Sequence, residues 1–355
     1  MLIFTYHQVM PCFLEFVFPF ARQLYATDFH FGGFRSQLQL GGIQRGLYLP
    51  KLDWSGESLR ICYNLKGPEM MKVTDPEEWP WYLGQCAVHH SFDLQTGKAT
   101  WVVLVKGNVA LQRQVKSATE DRKAAGLRLE SLDQSFRATL ETHMIFCEWS
   151  SQSWRWYINF LYEKVHSFSN RAVFTPVEAP VPSSQRNSNI SLRYRQGRHS
   201  SNGDNSEGSS VNILKNPPVN PAPPFSLENG REYLATTQAA LGRSIRESSK
   251  QDALSFGDLQ GLHAIEEMVN KANLGFKVNQ NVLTDLKTIY GDCEDTEDWP
   301  EAFRGICHQN VVIFAARISM IQKDMAIQQF RIEQILRLIA DRKSLVCMTL
   351  SLQMT

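Results

Sequence analysis

The chain has 355 residues, which at ~100–200 residues per domain gives about two domains. Hydrophobic residues make up 43% and charged residues 21%, ordinary globular usage that excludes a chain disordered throughout. Lys and Arg total 37 against 36 Asp and Glu, a net charge of +1, so no overall charge points to nucleic acid or to a membrane surface.

The N-terminal run MLIFTYHQVMPCFLEFVFPFAR is apolar and aromatic, but it lacks a basic leader and carries His7, Pro11, Glu15 and Pro19. It reads as a buried segment rather than a signal peptide. Residues 1–170 hold seven of the eight tryptophans. From Ser58 to Leu65, Leu59, Ile61, Tyr63 and Leu65 alternate onto one face, as a strand requires. Gln85–Phe92 and Ala99–Lys106 also read as strands, and the turn Asp93–Lys98 joins them as a hairpin. Helical periods follow over about 108–124, 130–147 and 152–168. In the second, Leu132, Phe136, Leu140 and Met144 fall at steps of four. This region is therefore expected to be α+β, an α/β-type domain with a small antiparallel sheet and helices beside it. The aromatic stretch from Trp149 to Tyr162 could face a membrane interface, but it reads as core.

Residues 171–250 change character. Eight of the fifteen prolines lie between Pro176 and Pro224, and Tyr194 is the only aromatic residue there. Such a segment cannot bury enough apolar surface to offset its ordering entropy, and it reads as a disordered linker. Its basic cluster Arg186, Arg193, Arg195 and Arg198 reads as solvated rather than as a phosphate site.

Residues 251–355 are expected to be a long helical hairpin. Ser255 and Asp258 have capping-box spacing. Leu262, Ile265, Val269, Ala272, Phe276, Asn279, Leu283, Leu286 and Tyr290 then step by three and four. A loop from Gly291 to Pro300 follows, and no Gly or Pro occurs from Ile306 to Thr355. In that span Val311, Phe314, Ile318, Ile321, Met325, Gln328, Ile332, Ile335, Ile339, Arg342 and Val346 keep a heptad step. The nine apolar members form the expected helix-packing or oligomer seam. A helix of ~45 residues spans roughly 70 Å, so it should overrun its partner or pair with another chain.

Chemistry-bearing motifs are sparse. The seven cysteines, Cys12, Cys62, Cys86, Cys147, Cys293, Cys307 and Cys347, include no Cys-x-x-Cys, which favours a reducing, cytoplasmic setting over a disulfide or zinc framework. The acidic run carries Asp292, Glu294, Asp295, Glu297 and Asp298, a candidate for a divalent cation such as Mg²⁺. It fails the calcium-loop pattern, with Glu297 where Gly is required and Phe303 where Glu is required. A solvated loop beside the next helix is the plainer reading. His89 and His90 are adjacent on a strand, so they point to opposite faces and cannot readily share one metal. No phosphate-binding loop, dinucleotide fingerprint, zinc-protease motif or nucleophile elbow is present, and the chain is read as non-enzymatic with no resident cofactor. No stretch offers the ~20 clean apolar residues of a membrane helix, so no membrane insertion is expected of this chain.

Several blocks resemble a family. They are Tyr6–Leu14, Phe16–Phe20 and Phe31–Arg35, then Ile61–Lys66, Ala87–Asp93, Thr96–Trp101 and Val105–Asn108, then Trp154–Leu161 and finally Arg337–Leu345. Together they resemble fungal CorA-like proteins related to divalent-metal (Mg²⁺) transporters. The resemblance implies a cytosolic α/β domain, then a hairpin whose second helix is the stalk of a homo-oligomer. In transporters that stalk continues into membrane helices bearing a Gly-Met-Asn signature. Here the sequence ends on the stalk at Thr355 without that signature, and Trp81–Gln85 departs from the family's Trp-Ser-Ile-Arg-Gln run. The expectation is a soluble regulatory or oligomerisation module, or a truncated form of a transporter-related membrane protein. It would be cytoplasmic as given, and membrane-associated if the gene continues into transmembrane helices. The alternatives are a Mg²⁺-sensing domain using the acidic run, or an interaction scaffold with no transport role.

Overall fold

The computed structural model describes residues 2–20, 31–40, 46–71, 73, 79–106, 109–124, 131–174, 256–295, 299 and 307–354. Residues 171–174, expected to open the linker, are helical, whereas the rest of the expected linker, its arginine cluster and Ser255 lie outside the described residues. Residues 1–173 and 255–355 form one compact unit.

Four strands form an antiparallel meander in the order β1-β2-β3-β4: β1 (Phe34–Gln39), β2 (Ser58–Met70), β3 (Trp81–Asp93) and β4 (Ala99–Lys106). β2 and β3 pair along their whole length, from Ser58 opposite Asp93 to Met70 opposite Trp81. Both run five residues or so beyond the segments whose alternation is clean, because their outer halves carry Gly67, Pro68 and Gly84. Gly67 and Gly84 face each other in the register, and the Trp149 ring lies over the space their missing side chains leave. A Cβ on Gly67 would meet that ring and the Trp149 carbonyl at 3.3 Å. β1 was not legible, since Phe34-Arg-Ser-Gln-Leu-Gln39 is polar at most positions.

The hairpin between β3 and β4 is fixed by one carboxylate. Asp93 is buried and accepts from the backbone N–H groups of Ser55 (2.7 Å), Gln95 (3.0 Å) and Thr96 (2.8 Å), and from the Ser55 hydroxyl. Gly97 adopts φ +72° to close the turn, a conformation that costs a side-chain-bearing residue about 1 kcal/mol or more.

The sheet is covered on both faces. Cys62 and Ala87 point to one side, where Met10, Phe13 and Phe16 of the N-terminal segment pack with them. That segment comprises α1 (Leu2–Tyr6), α2 (Phe13–Val17) and a 3₁₀ turn at Phe18–Phe20. Phe13 and Phe16 are fully buried, and each contributes about 1.5–3 kcal/mol by leaving water. Ile61, Tyr63, Val88 and His90 point to the other side, towards the helices. These are α3 (Val109–Ala124), α4 (Leu132–Ser151) and α5 (Trp154–Phe174), close to the expected bounds. Ser131 caps α4 by accepting from the Gln134 N–H at 3.3 Å. Between α4 and α5 the chain turns at Ser153, at φ +64°, and the Trp154 indole donates back to the Ser150 carbonyl at 2.7 Å. Trp149, Trp154, Tyr157, Ile158, Phe160 and Leu161 are buried, so most of this aromatic stretch is core, while Trp156 is half-buried and Tyr162 exposed.

Two long helices complete the unit, α6 (Phe256–Asp295) and α7 (His308–Met354). At ~1.5 Å per residue they measure roughly 60 and 70 Å. Helix α6 continues through Gly291 to Asp295, where the composition suggested a loop from Gly291 onward. Tyr290, buried one residue earlier, anchors that last stretch. Cross-helix bonds from Lys287 Nζ to Ser319 (2.9 Å), from Gln322 to Thr284 (2.8 Å) and from Lys343 Nζ to Glu266 (2.8 Å) set an antiparallel register. That register puts Phe256 opposite the segment around Leu350, so α7 outruns α6 only by about its last turn.

Candidate functional site

The inner face of α7 holds Val311, Phe314, Ile318, Ile321, Met325, Ile332, Ile335, Ile339 and Val346, all buried within this one chain. On α6 the facing residues Leu262, Ile265, Val269, Ala272, Phe276, Leu283, Leu286 and Tyr290 are buried as well. The seam that the heptad pattern offered to a second chain is thus filled by α6. Of its polar positions, Gln328 and Asn279 have local partners, whereas the Arg342 Nε is buried with none among the described residues. Gln328 accepts from Arg331 (2.8 Å), which also reaches Asn159 of α5. Asn279 of α6 does more. Its amide accepts from the Lys66 N–H (2.9 Å) and donates to the Lys66 carbonyl (2.6 Å), completing the edge of β2 beyond the reach of β1. Lys66 itself is buried, its Nζ donates to the Phe31 carbonyl at 2.7 Å, and burial pulls its ammonium down to about 8.

The opposite face of α7 carries a second heptad that the sequence reading missed. Ile313, Ala316, Met320, Lys323, Ile327 and Phe330 step by three and four, and all are exposed. The large apolar members are open to solvent over half their surface or more: Ile313 51%, Met320 67%, Ile327 60% and Phe330 61%. Beside Ile327 lies a notch of about 220 Å³ lined by Trp154, Arg155, Trp156, Asp324 and Gln328. The signal was present, since the stripe is visible once the helix is drawn. The stronger inner period masked it.

A polar centre lies under the sheet. His143 of α4 stands between two hydroxyls, Tyr63 on its Nδ1 (2.8 Å) and Tyr290 on its Nε2 (2.9 Å). A neutral imidazole has one donor and one acceptor, so one tyrosine accepts and the other donates. His90 packs against the His143 and Trp101 rings at centroid distances of 4.9 and 4.1 Å. His89 points to the other face of the sheet, where its Nε2 accepts from the Met10 N–H at 3.1 Å. Burial holds all three imidazoles neutral, His143 down to about 3 and His89 to about 4. Burial also keeps the Cys86 and Cys147 thiols protonated. These groups are therefore arranged to fill and tie the core rather than to meet a substrate. His89 and His90 occupy opposite faces, as strand geometry requires.

Of the acidic run, Asp292 is exposed in the last turn of α6, and Glu294 and Asp295 belong to the same turn. Glu297 and Asp298 lie outside the described residues. Among the described residues no group of three or more His, Cys, Asp or Glu side chains could hold a metal ion.

Residues 1–173 match the model of a family described as CorA-like transporters. This part of the chain, just under half of it, is similar to that family. The matched region ends inside α5, and α6, which follows, closes its sheet edge and its polar centre. No curated protein and no solved structure is similar to the chain at a significant level. Among the described residues no helix is long and apolar enough to cross a membrane.

Proposed function

We propose that this chain is a non-enzymatic association module, a CorA-like domain whose long hairpin presents the outer face of α7 to a second copy of itself. The observation that carries the reading is the exposed stripe Ile313–Met320–Ile327–Phe330 at heptad spacing, backed by a helix already stiffened by α6 on its other side. Lys323 within the stripe is a device for register, since a charged residue at one such position disfavours misaligned pairings. The similarity of residues 1–173 to CorA-like transporters supports extending this reading to a regulatory role in a divalent-cation-transporter-related assembly at a cytoplasmic location. Sedimentation of the full chain across the micromolar range tests the reading. Wild type should assemble with rising concentration, and Ile327→Glu with Phe330→Glu should stay monomeric with an unchanged melting temperature. A wild-type chain that remains monomeric at high micromolar concentration would overturn it.

A second reading is Mg²⁺ sensing by the acidic run. It is favoured by Asp292, Glu294 and Asp295 standing in the last turn of α6, where the helix dipole repels negative charge. A cation there would relieve that repulsion, so added Mg²⁺ should raise the melting temperature. A flat titration would sink this reading and leave the first untouched.

A further inference from the structure

The sheet face covered by the N-terminal segment holds two thiols in contact. Cys12, at the N-terminal end of α2, and Cys62, in the middle of β2, have their sulfurs 3.8 Å apart, although 50 residues separate them. No cysteine spacing in the sequence pointed to them.

The two differ in access. Cys62 is fully buried, with Phe13, Phe16, Met10 and Ala87 around it, whereas Cys12 is partly open to solvent. The Cys12 side chain makes no capping bond to α2, so no such bond restrains its rotation. A disulfide needs the sulfurs at ~2.05 Å, less than 2 Å closer than they already stand. We propose that Cys12 and Cys62 are an oxidisable dithiol site, in which a hydroperoxide oxidises Cys12 and Cys62 then closes a disulfide that ties the N-terminal segment to β2.

The steps balance as follows. The Cys12 sulfur attacks one peroxide oxygen as its thiol proton leaves, the O–O bond breaks, and Cys12 becomes a sulfenic acid while the other oxygen takes up a proton and leaves as water or an alcohol. The Cys62 sulfur then attacks the Cys12 sulfur and the S–O bond breaks. The departing hydroxide leaves as water with the Cys62 proton. Two thiols lose two electrons and the peroxide gains them. The division of labour follows from the surroundings. Burial, with Cys12 beside it, pushes the Cys62 thiol up, and Arg35 offsets this only in part, so Cys62 stays protonated and shielded until a sulfenic acid forms next to it.

Without the bond, the segment is held by its buried apolar side chains and by three polar ties. The Met10 N–H donates to His89, Gln85 donates to the Pro19 carbonyl (3.1 Å), and Arg60 donates to the Gln8 side chain (3.0 Å). The disulfide adds a covalent link at the centre of that set. It is reversible by a small thiol, as a switch requires.

The test uses the full chain with hydrogen peroxide as the oxidant and peptide mass spectrometry without reduction. Wild type should yield the Cys12 peptide joined to the Cys62 peptide, two hydrogens lighter than the pair and separated again by dithiothreitol. Cys62→Ser should stop at a Cys12 sulfenic acid that a cyclic 1,3-diketone traps, and Cys12→Ser should give no link. The link should form at least ~10-fold faster in native buffer than in urea, because folding holds the two sulfurs together. Equal rates in the two solvents would overturn the proposal. So would a wild-type product in which Cys12 is oxidised further while Cys62 remains a free thiol.

Discussion

His143 is fully buried between Tyr63 and Tyr290, with His90 at its side, and among the described residues no carboxylate pairs with either imidazole in this centre. Their folded-state affinities for protons are lowered, as is that of His89 on the other face. The unfolded chain, with histidines titrating near ~6.5, therefore binds protons that the folded chain refuses. Stability is fully present above about pH 6.5 and falls as the pH drops from there towards about 4, each histidine adding up to ~1.4 kcal/mol per pH unit. Urea midpoints measured between about pH 7 and 5 should fall steeply, and His143→Phe should flatten the slope. Asn279 is the other decisive residue. Asn279→Ala would leave the buried Lys66 N–H and C=O without their partner, a cost of about 3 kcal/mol in chemical denaturation.

At the scale of elements, α7 has two faces with opposite consequences. Ile332→Ala opens a cavity against α6 and should cost about 2–5 kcal/mol, whereas Met320→Ala on the outer face should change monomer stability by less than ~0.5 kcal/mol. Denaturation curves of the two variants at low protein concentration decide this. β2, β3 and β4, the three helices after them and both long helices were legible because their apolar residues repeat at two or at three and four. β1 was not legible, because Arg35, Ser36 and Gln37 give it no apolar face and β2 supplies its pairing partners. The polar centre was hidden for a related reason. Tyr63, His143 and Tyr290 are 80 and 147 residues apart, and no local pattern links them. The same distance concealed Cys12 and Cys62. Asn279 was visible only as a polar interruption in an apolar period, and its bond to the backbone of β2 explains why it is tolerated there.

At the scale of the whole molecule, the match to the CorA-like family and the folding unit have different limits. The match covers residues 1–173, but the sheet edge at Lys66 and the polar centre at His143 are completed from α6. Residues 1–173 produced alone should therefore lack a cooperative melting transition. Adding back residues 255–355 in one chain should restore it, as far-UV circular dichroism on heating will report. The partners Lys66 and Asn279 are 213 residues apart, and this separation bears on synthesis at the ribosome. At ~5–20 residues per second, β2 leaves the ribosome roughly 10–40 s before the residue that finishes its edge. For that interval the nascent sheet has an open strand edge at Lys66, a feature that invites wrong pairing between chains. Binding by a chaperone would protect this chain most in that window, before α6 arrives.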